Sequence, residues 1–344
     1  MLKRTVIALL LSLALGFAGL YLVVGETVFR LETYRAQNFS VPLAFLIVAA
    51  FLAKWLSPAV RVRLLCRGQR ISLPYRSAFL VHLVAMFVAA LAPQNTGFGP
   101  ATVAALSRFG VPVGRGIGVA VQIFVLDLIF FAWSVPASIG YLVYTDALEL
   151  PAGARVVVVA ASCLAIVAAA ILSRRPQLIV GLIFRVARWH FMGRFASWLR
   201  KVARDYYRSA RAFLRMPASY WLTLHLTTAA GWLGGYLLLW LLLEVYGVDE
   251  GLLATLAILS SLTLVSHFVP TPGAAGFIEA AVGLSIGAGG GVAAALLVWR
   301  LASFYVVYLM GPPAGWLLYQ SRPGPATGAA AGDASAAHGR REPL

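Results

Sequence analysis

The sequence predicts an all-α polytopic membrane protein with an inverted-topology repeat, about six spanning helices and two re-entrant helical hairpins. First, 61% of the 344 residues are hydrophobic and only 12% are charged, whereas soluble domains carry about 25% charged residues. Second, long apolar runs alternate with short polar segments. Third, Pro- and Gly-rich breaks at 92–100 and 269–276 interrupt two of these runs, and a helix cannot continue smoothly through such residues.

The basic charge follows the pattern of a membrane protein and not that of a nucleic-acid binder. The net charge is +16, and the basic residues occupy segments that alternate with the apolar runs, as the positive-inside rule describes. The two cysteines, Cys66 and Cys163, and the five scattered histidines form no disulfide framework and no metal-ligand cluster. We therefore expect no nucleic-acid partner, no metal and no cofactor.

The first half of the chain alternates between the two sides of the bilayer. Residues 6–24 and 41–57 are each apolar enough to span it. Residues 54–76 hold six cations and no acid, which places this segment in the cytoplasm. The run 77–109, broken in its middle, is a hairpin entered from the cytoplasm, and 116–144 spans the membrane to an acidic outer loop containing Asp146 and Glu149.

The second half repeats this order in the opposite orientation. Residues 155–172 span inward to a basic segment, 174–216, whose aromatic residues recur at helical spacing, as in amphipathic helices that lie along a lipid surface. Residues 220–246 span outward, 252–288 form the second hairpin, and 291–319 span inward. Both termini are then cytoplasmic.

One integral membrane domain, 1–320, accounts for all of these segments. Repeat one covers about 1–145 and repeat two about 154–320, and the Pro-, Gly- and Ala-rich tail 321–344 is expected to be disordered. A sequence echo supports the repeat, because Gly118–Asp127 aligns without gaps on Gly291–Arg300, and each segment places an ionisable residue nine positions after its glycine.

Two charged residues fall near the middle of predicted spanning helices, namely Asp127 and Arg300. Each costs about 2.5–3.5 kcal/mol in such a position unless a partner or water compensates it. We predict that they face the repeat axis and pair with each other or with Glu279 of the second hairpin. Two interpretations stay open: a static ion pair that fastens two helices, or an Arg300 that binds phosphate through its planar guanidinium.

The tips of the two hairpins carry further candidate residues, because polar side chains and the unpaired N–H groups of broken helices can line a hydrated path and attract anions. For His267 a hydrogen bond within the helix bundle is the competing interpretation. The candidates are Gln94, Asn95 and Thr96 at the first tip, and His267, Pro270, Pro272, Gly273 and Gly276 at the second.

The second hairpin and the helix after it carry a resemblance to a known family. Residues 269–279, which read Val-Pro-Thr-Pro-Gly-Ala-Ala-Gly-Phe-Ile-Glu, are followed by Leu297–Arg300, Tyr305 and Gly311-Pro312. This pattern resembles the flippase-like integral membrane family that includes the transmembrane region of lysylphosphatidylglycerol synthases. Of that family's first-repeat motifs, Pro93, Gly97 and Asp127 are present, and Phe98 replaces a glutamate.

The resemblance implies translocation of a lipid with a charged headgroup between the leaflets of the bacterial cytoplasmic membrane. The partners would be membrane lipids, either anionic or aminoacylated, such as an aminoacylated phosphatidylglycerol, or a glycolipid. The chain contains no Gly-x-x-x-x-Gly-Lys-Ser/Thr loop for nucleotide, so a gradient or lipid consumption would have to drive transport.

Two alternatives belong to other functional classes. A membrane-embedded transferase of lipid headgroups or sugars would need carboxylates at the membrane surface, and Asp146 and Glu149 form the outer acidic pair available. A proton- or ion-coupled transporter of small solutes would use Asp127 and Glu279 as carriers. The expectation from the sequence is a lipid transporter without enzymatic activity.

Overall fold

The computed structural model describes residues 31–92, 94–145, 196–271, 273–287 and 289–321, and scattered positions between 7 and 25 and between 160 and 185. The predicted spans 6–24 and 155–172 lie outside the described residues apart from those positions. The acidic loop after Thr145, the basic segment before Ala196 and the tail after Ser321 also lie outside them.

All regular elements of the described residues are helical. Four helices, α1, α4, α6 and α9, are 28 to 32 residues long and apolar enough to cross a bilayer. They coincide with four predicted spans, which confirms an all-α multi-pass membrane protein. The helices are α1 (Val41–Gly68), α2 (Tyr75–Leu91), α3 (Phe98–Arg108), α4 (Val113–Tyr144), α5 (Ala196–Leu214), α6 (Ala218–Val245), α7 (Leu252–Ser266), α8 (Phe277–Ile286) and α9 (Gly290–Gln320), which includes a π-helical turn at Leu301–Tyr305.

Polar caps and prolines set where several helices begin. The hydroxyl of Ser40 accepts a hydrogen bond from the Leu43 N–H at 3.4 Å and caps α1. Pro74, Pro112 and Pro217 stand directly before α2, α4 and α6. A proline is tolerated at a helix start because the first N–H groups have no partner within the helix.

Helix α1 continues to Gly68, so its predicted end near residue 57 is wrong. Pro58 lies inside the helix and offers no N–H to the carbonyl four residues earlier. Its ring packs against α6, where a Cβ added to Gly231 would lie 3.3 Å from the Pro58 Cγ. Neighbouring helices allow prolines within spanning helices. Arg61, predicted to lie in the cytoplasmic segment 54–76, is therefore a residue of helix α1 and is only 6% exposed.

Helices α1 and α6 run antiparallel in close contact. At one end the Val245 carbonyl accepts from the Gln37 N–H at 2.9 Å, and at the other the Leu64 carbonyl accepts from the Tyr220 hydroxyl at 2.7 Å. Between these ends a Cβ on Gly234 would lie only 2.8 Å from a backbone nitrogen of α1. The backbones approach this closely because glycine stands there.

Two helical hairpins precede the long helices α4 and α9. Helices α2 and α3 join at 92–97, where Gln94 and Asn95 have φ of +54° and +56°. Helices α7 and α8 join at 267–276, where φ is +60° at Gly273, +52° at Ala274 and +84° at Gly276. The predicted breaks are therefore confirmed as turns between helices.

A continuous apolar core joins α4, α6, α7, α8 and α9 through residues such as Phe130, Leu239 and Leu296, all three fully buried. Large apolar side chains are also exposed on these helices and in the turns between them. Phe268, in the turn after α7, is 76% exposed, and Leu284 of α8 is 78% exposed. Many exposed large apolar side chains indicate contact with lipid or another protein, in agreement with a membrane protein.

The basic helix α5 places its apolar face against α4. Val202 and Tyr206 are buried, and a Cβ on Gly114 would lie 2.9 Å from the Tyr206 nitrogen. Gln122 Nε2 donates to the carbonyl and the hydroxyl of Ser209 at 3.2 and 3.1 Å. Burial raises the pKa of Tyr206 to about 12. The buried face of α5 therefore contacts α4 and not the lipid surface that the sequence predicted.

Two glycines of α4 provide a test of this contact. A Cβ on Gly118 would meet Ser209 Cβ at 2.5 Å, whereas nothing lies within 4 Å of a Cβ on Gly140. Ala in place of Gly stabilises a helix by about 0.8–1.0 kcal/mol, but overpacking costs about 1–3 kcal/mol. We expect Gly118→Ala to accelerate tryptic cleavage of α5 and Gly140→Ala to leave it unchanged. Equal cleavage rates would contradict the contact.

Candidate functional site

A buried ion pair joins the second hairpin to α9. Arg300 Nε donates to Glu279 Oε1 at 2.6 Å, and Arg300 Nη2 donates to Glu279 Oε2 at 3.1 Å. The two side chains are 5% and 4% exposed. A two-point contact of this kind is the strong form of an arginine–carboxylate interaction. Of the two partners predicted for Arg300, the structure selects Glu279.

The same pair organises the turn before α8. Arg300 Nη2 lies 3.3 Å from the Gly273 carbonyl oxygen and 3.5 Å from that of Ala274. Glu279 Oε2 accepts a hydrogen bond from the Gly276 N–H at 2.9 Å and so caps α8. Because one guanidinium and one carboxylate hold several backbone groups, the shape of this tip depends on the ion pair.

Aromatic rings and two glycines surround the pair. The Arg300 guanidinium lies 5.1 Å from the Phe304 ring centroid and 5.6 Å from that of Trp299. Among the described helical residues 14–19, a Cβ on Gly16 would lie 3.1 Å from Glu279 Oε1, and a Cβ on Gly19 would overlap the Gly276 backbone. These glycines bring the N-terminal part of the chain against the hairpin tip.

A second ion pair holds Asp127, with a partner that was not predicted for it. Arg61 Nη1 donates to Asp127 Oδ1 at 2.5 Å and to the Thr228 hydroxyl at 3.3 Å. The same Asp127 oxygen accepts from Trp232 Nε1 at 2.9 Å. The predicted pairing of Asp127 with Arg300 or Glu279 is therefore wrong, because Arg300 bonds to Glu279 and Arg61 lies closest to Asp127.

The polar residues of the hairpin tips take up separate places. Gln94, Asn95 and Thr96 are exposed at the first tip, and none of the described hydrogen bonds joins Gln94 or Asn95 to the Arg300–Glu279 pair. His267 is half-buried, with Nδ1 2.7 Å from the Thr263 carbonyl oxygen and its ring 5.8 Å from that of Phe131. This is the hydrogen-bonded position within the bundle.

Of the other second-tip candidates, Gly273 and Gly276 contact the pair directly. Pro270 is exposed, and Pro272 lies outside the described residues. Arg61 is the residue that sequence reasoning missed. Its helical spacing to Lys54 in α1 is a signal that could have found it, had the six cations of residues 54–76 not placed this segment in the cytoplasm.

Comparisons with known proteins identify the family to which the chain belongs. No curated protein matches the chain significantly. The profile of the family described as "Lysylphosphatidylglycerol synthase TM region" matches residues 5–311. This match includes both ion pairs and both hairpins, and it extends over most of the 344 residues. The protein is therefore a multi-pass membrane protein that belongs to the lysylphosphatidylglycerol synthase TM region family.

Proposed function

We propose that this protein is a flippase or scramblase that moves a lipid with a charged headgroup between the leaflets of the bacterial cytoplasmic membrane. The observation that carries the proposal is the buried Arg300–Glu279 pair at the tip of a broken helix. The family supports a role in lipid handling. The proposal includes no enzymatic step, and both termini are cytoplasmic in it.

The arrangement of the helices supports an inverted repeat with six spans and two re-entrant hairpins. Each hairpin is followed by a long helix, α4 or α9. The positions that align in the two halves, Asp127 and Arg300, each form an ion pair with an earlier residue. The two pairs differ in which partner is the acid: in the first repeat the later residue, Asp127 of α4, is the acid, whereas in the second the later residue, Arg300 of α9, is the base. Transporters with inverted repeats place their substrate sites at such broken helices.

The chemistry of the pair suits reversible binding of a phosphate. A guanidinium presents the same two-point geometry to phosphate as to carboxylate. A lipid phosphate could therefore replace Glu279 as the acceptor of the Arg300 hydrogen bonds. Glu279 would remain bonded to the Gly276 N–H and would keep α8 capped meanwhile. Release of the lipid would restore the resting pair.

Reconstitution with Arg300→Lys tests the proposal. We expect wild-type protein in liposomes to accelerate exposure of fluorescent phosphatidylglycerol to an impermeant quencher. Lysine keeps the charge, but it loses the planar fork, so the rate should fall about tenfold or more, the effect of one charge-assisted hydrogen bond. Circular dichroism and size-exclusion chromatography should be unchanged.

Arg63→Lys is the matched control, because Arg63 is an exposed residue of α1. It should translocate lipid at the wild-type rate. A wild-type protein that moves no lipid but conducts protons or a solute would overturn the proposal in favour of an ion-coupled transporter. Wild-type translocation rates for Arg300→Lys would show that the ion pair only holds α8 and α9 together and does not take part in transport.

A further inference from the structure

Lys54 is a cation in the middle of a spanning helix for which the described residues provide no carboxylate. It lies midway along α1 and is half-buried. Its stem packs beside α6, where a Cβ on Gly235 would lie 3.5 Å from the Lys54 Nζ. The Trp55 ring, with its centroid 5.7 Å from Nζ, is the neighbour that attracts this charge.

The distribution of acids leaves Lys54 uncompensated. The chain has 12 acidic residues, and two of them belong to ion pairs within the apolar helix bundle of the described residues: Asp127, inside α4, and Glu279, in the first turn of α8. Both already bond to arginines, Arg61 and Arg300. The predicted spans 6–24 and 155–172 contain no Asp or Glu in their sequence. The interior charges of the described helices therefore sum to an excess of one cation.

Two neighbouring side chains have unused hydrogen-bonding nitrogens. Arg61 Nε and His82 Nδ1 are buried and have no hydrogen-bond partner among the described residues. Both side chains belong to residues that are only 6% exposed. Lys54 and Arg61 stand seven residues apart on α1, which places them on the same side of that helix, and the His82 ring of α2 lies 6.3 Å from that of Trp55. Arg61 Nη1 is used by Asp127 and Thr228, so the unused groups in this part of the described structure are the Lys54 ammonium, Arg61 Nε and His82 Nδ1.

An unpaired lysine and unsatisfied nitrogens inside a membrane protein are costly, and such groups mark substrate pathways. An oxygen-rich anion would supply both the missing charge and the missing acceptors. A headgroup with net positive charge would be repelled by Lys54, whereas a phosphodiester without an amine would neutralise it.

We propose that Lys54, with Arg61 and His82, contacts the phosphate of the transported lipid, and that this lipid has a net negative headgroup and not a cationic, aminoacylated one. This proposal rests on the proposed function and specifies its substrate class. Arg300 binds at the hairpin tip, and Lys54 supplies the net charge that selects among headgroups. The shared chemistry, a phosphate monoanion, could also belong to a soluble phosphate, so the test includes one.

Native mass spectrometry of the full-length protein in detergent distinguishes these ligands. It would be titrated with phosphatidylglycerol, its lysyl ester, phosphatidylethanolamine and inorganic phosphate. We expect wild-type protein to bind phosphatidylglycerol about tenfold or more tightly than the lysyl ester, the effect of one charge-assisted contact. Lys54→Met should remove this preference, because methionine keeps the unbranched stem without the charge.

Lys201→Met is the matched control, since Lys201 is exposed on α5, and it should bind like wild type. Lys54→Met removes an uncompensated charge, so its thermal stability should equal or exceed that of wild type.

An unchanged preference in Lys54→Met, or equal wild-type affinity for both lipids, would overturn the proposal. Lys54-dependent binding of inorganic phosphate without lipid would overturn the lipid source. Wild-type protein that binds phosphatidylglycerol selectively but moves no lipid would contradict the proposed function and leave this site standing.

Discussion

Glu279→Gln is expected to destabilise the protein by about 3–5 kcal/mol, the effect of leaving one member of a buried ion pair without its partner. Glutamine has nearly the same shape, and its amide oxygen can still accept the Gly276 N–H that caps α8. The Arg300 charge, by contrast, remains buried without a counter-charge. Unfolding by sodium dodecyl sulfate, followed by circular dichroism, would measure the loss. Lipid translocation should disappear in the same variant.

A double variant separates stability from function. Glu279→Leu combined with Arg300→Met replaces the pair with apolar side chains, a change that is often neutral or stabilising. Part of the gain should be offset because the carbonyls of Gly273 and Ala274 lose their donor and the Gly276 N–H that caps α8 loses its acceptor. We expect this variant to unfold close to the wild-type midpoint and to move no lipid.

Two outcomes would contradict this interpretation. Wild-type translocation by the double variant would show that the pair only fastens α8 to α9, which is the static alternative. Wild-type stability of Glu279→Gln would mean that water or another group compensates Arg300. A stable but inactive double variant would instead assign the two charges to transport.

The apolar runs of the sequence predicted four helices because about 20 consecutive apolar residues have few other stable conformations in a bilayer. Prolines and glycines also predicted where α7 ends and α8 begins. The cations of residues 54–76 misled the prediction for α1, since sequence cannot reveal that Asp127 of another helix binds Arg61 and that Gly231 of α6 lies against the ring of Pro58. A proline ends a helix only where nothing else satisfies the backbone.

The sequence predicted three of the four charged members of the candidate site, all but Arg61, and it offered Glu279 as one of two partners for Arg300. Charges inside apolar runs are rare and costly, which singled out Asp127, Glu279 and Arg300. Which charges meet depends on the rotation and packing of helices distant in sequence, so the Arg61–Asp127 pair required the structure. The sequence also did not decide whether lipid or protein covers the apolar face of α5, because helical periodicity shows that a helix has an apolar face and does not show what contacts it. Gly114 and Gly118, four residues apart on α4, carried that information.

Gly273→Ala is expected to disrupt the tip that Arg300 holds. Gly273 has a φ of +60°, and a Cβ there would overlap the Phe304 ring, with Cε1 at 2.9 Å. The left-handed backbone costs about 1–3 kcal/mol for a residue with a side chain, and overpacking costs about 1–3 kcal/mol more. Ala274 adopts a φ of +52° in the same turn, so the turn accommodates a residue with a side chain at positive φ when no overlap is added. The overlap with Phe304 should therefore decide the outcome.

Gly25→Ala is the matched control, because Gly25 has nearly the same φ, +63°, and nothing lies within 4 Å of its added Cβ. It should show the cost of strain alone in unfolding by sodium dodecyl sulfate, whereas Gly273→Ala should lose more stability and most lipid translocation. Combining Gly273→Ala with Phe304→Ala should recover stability relative to Gly273→Ala, since the ring is removed. Equal losses in the two single variants would show that the hairpin tip can move away from α9 freely, which would contradict a tip held by Arg300.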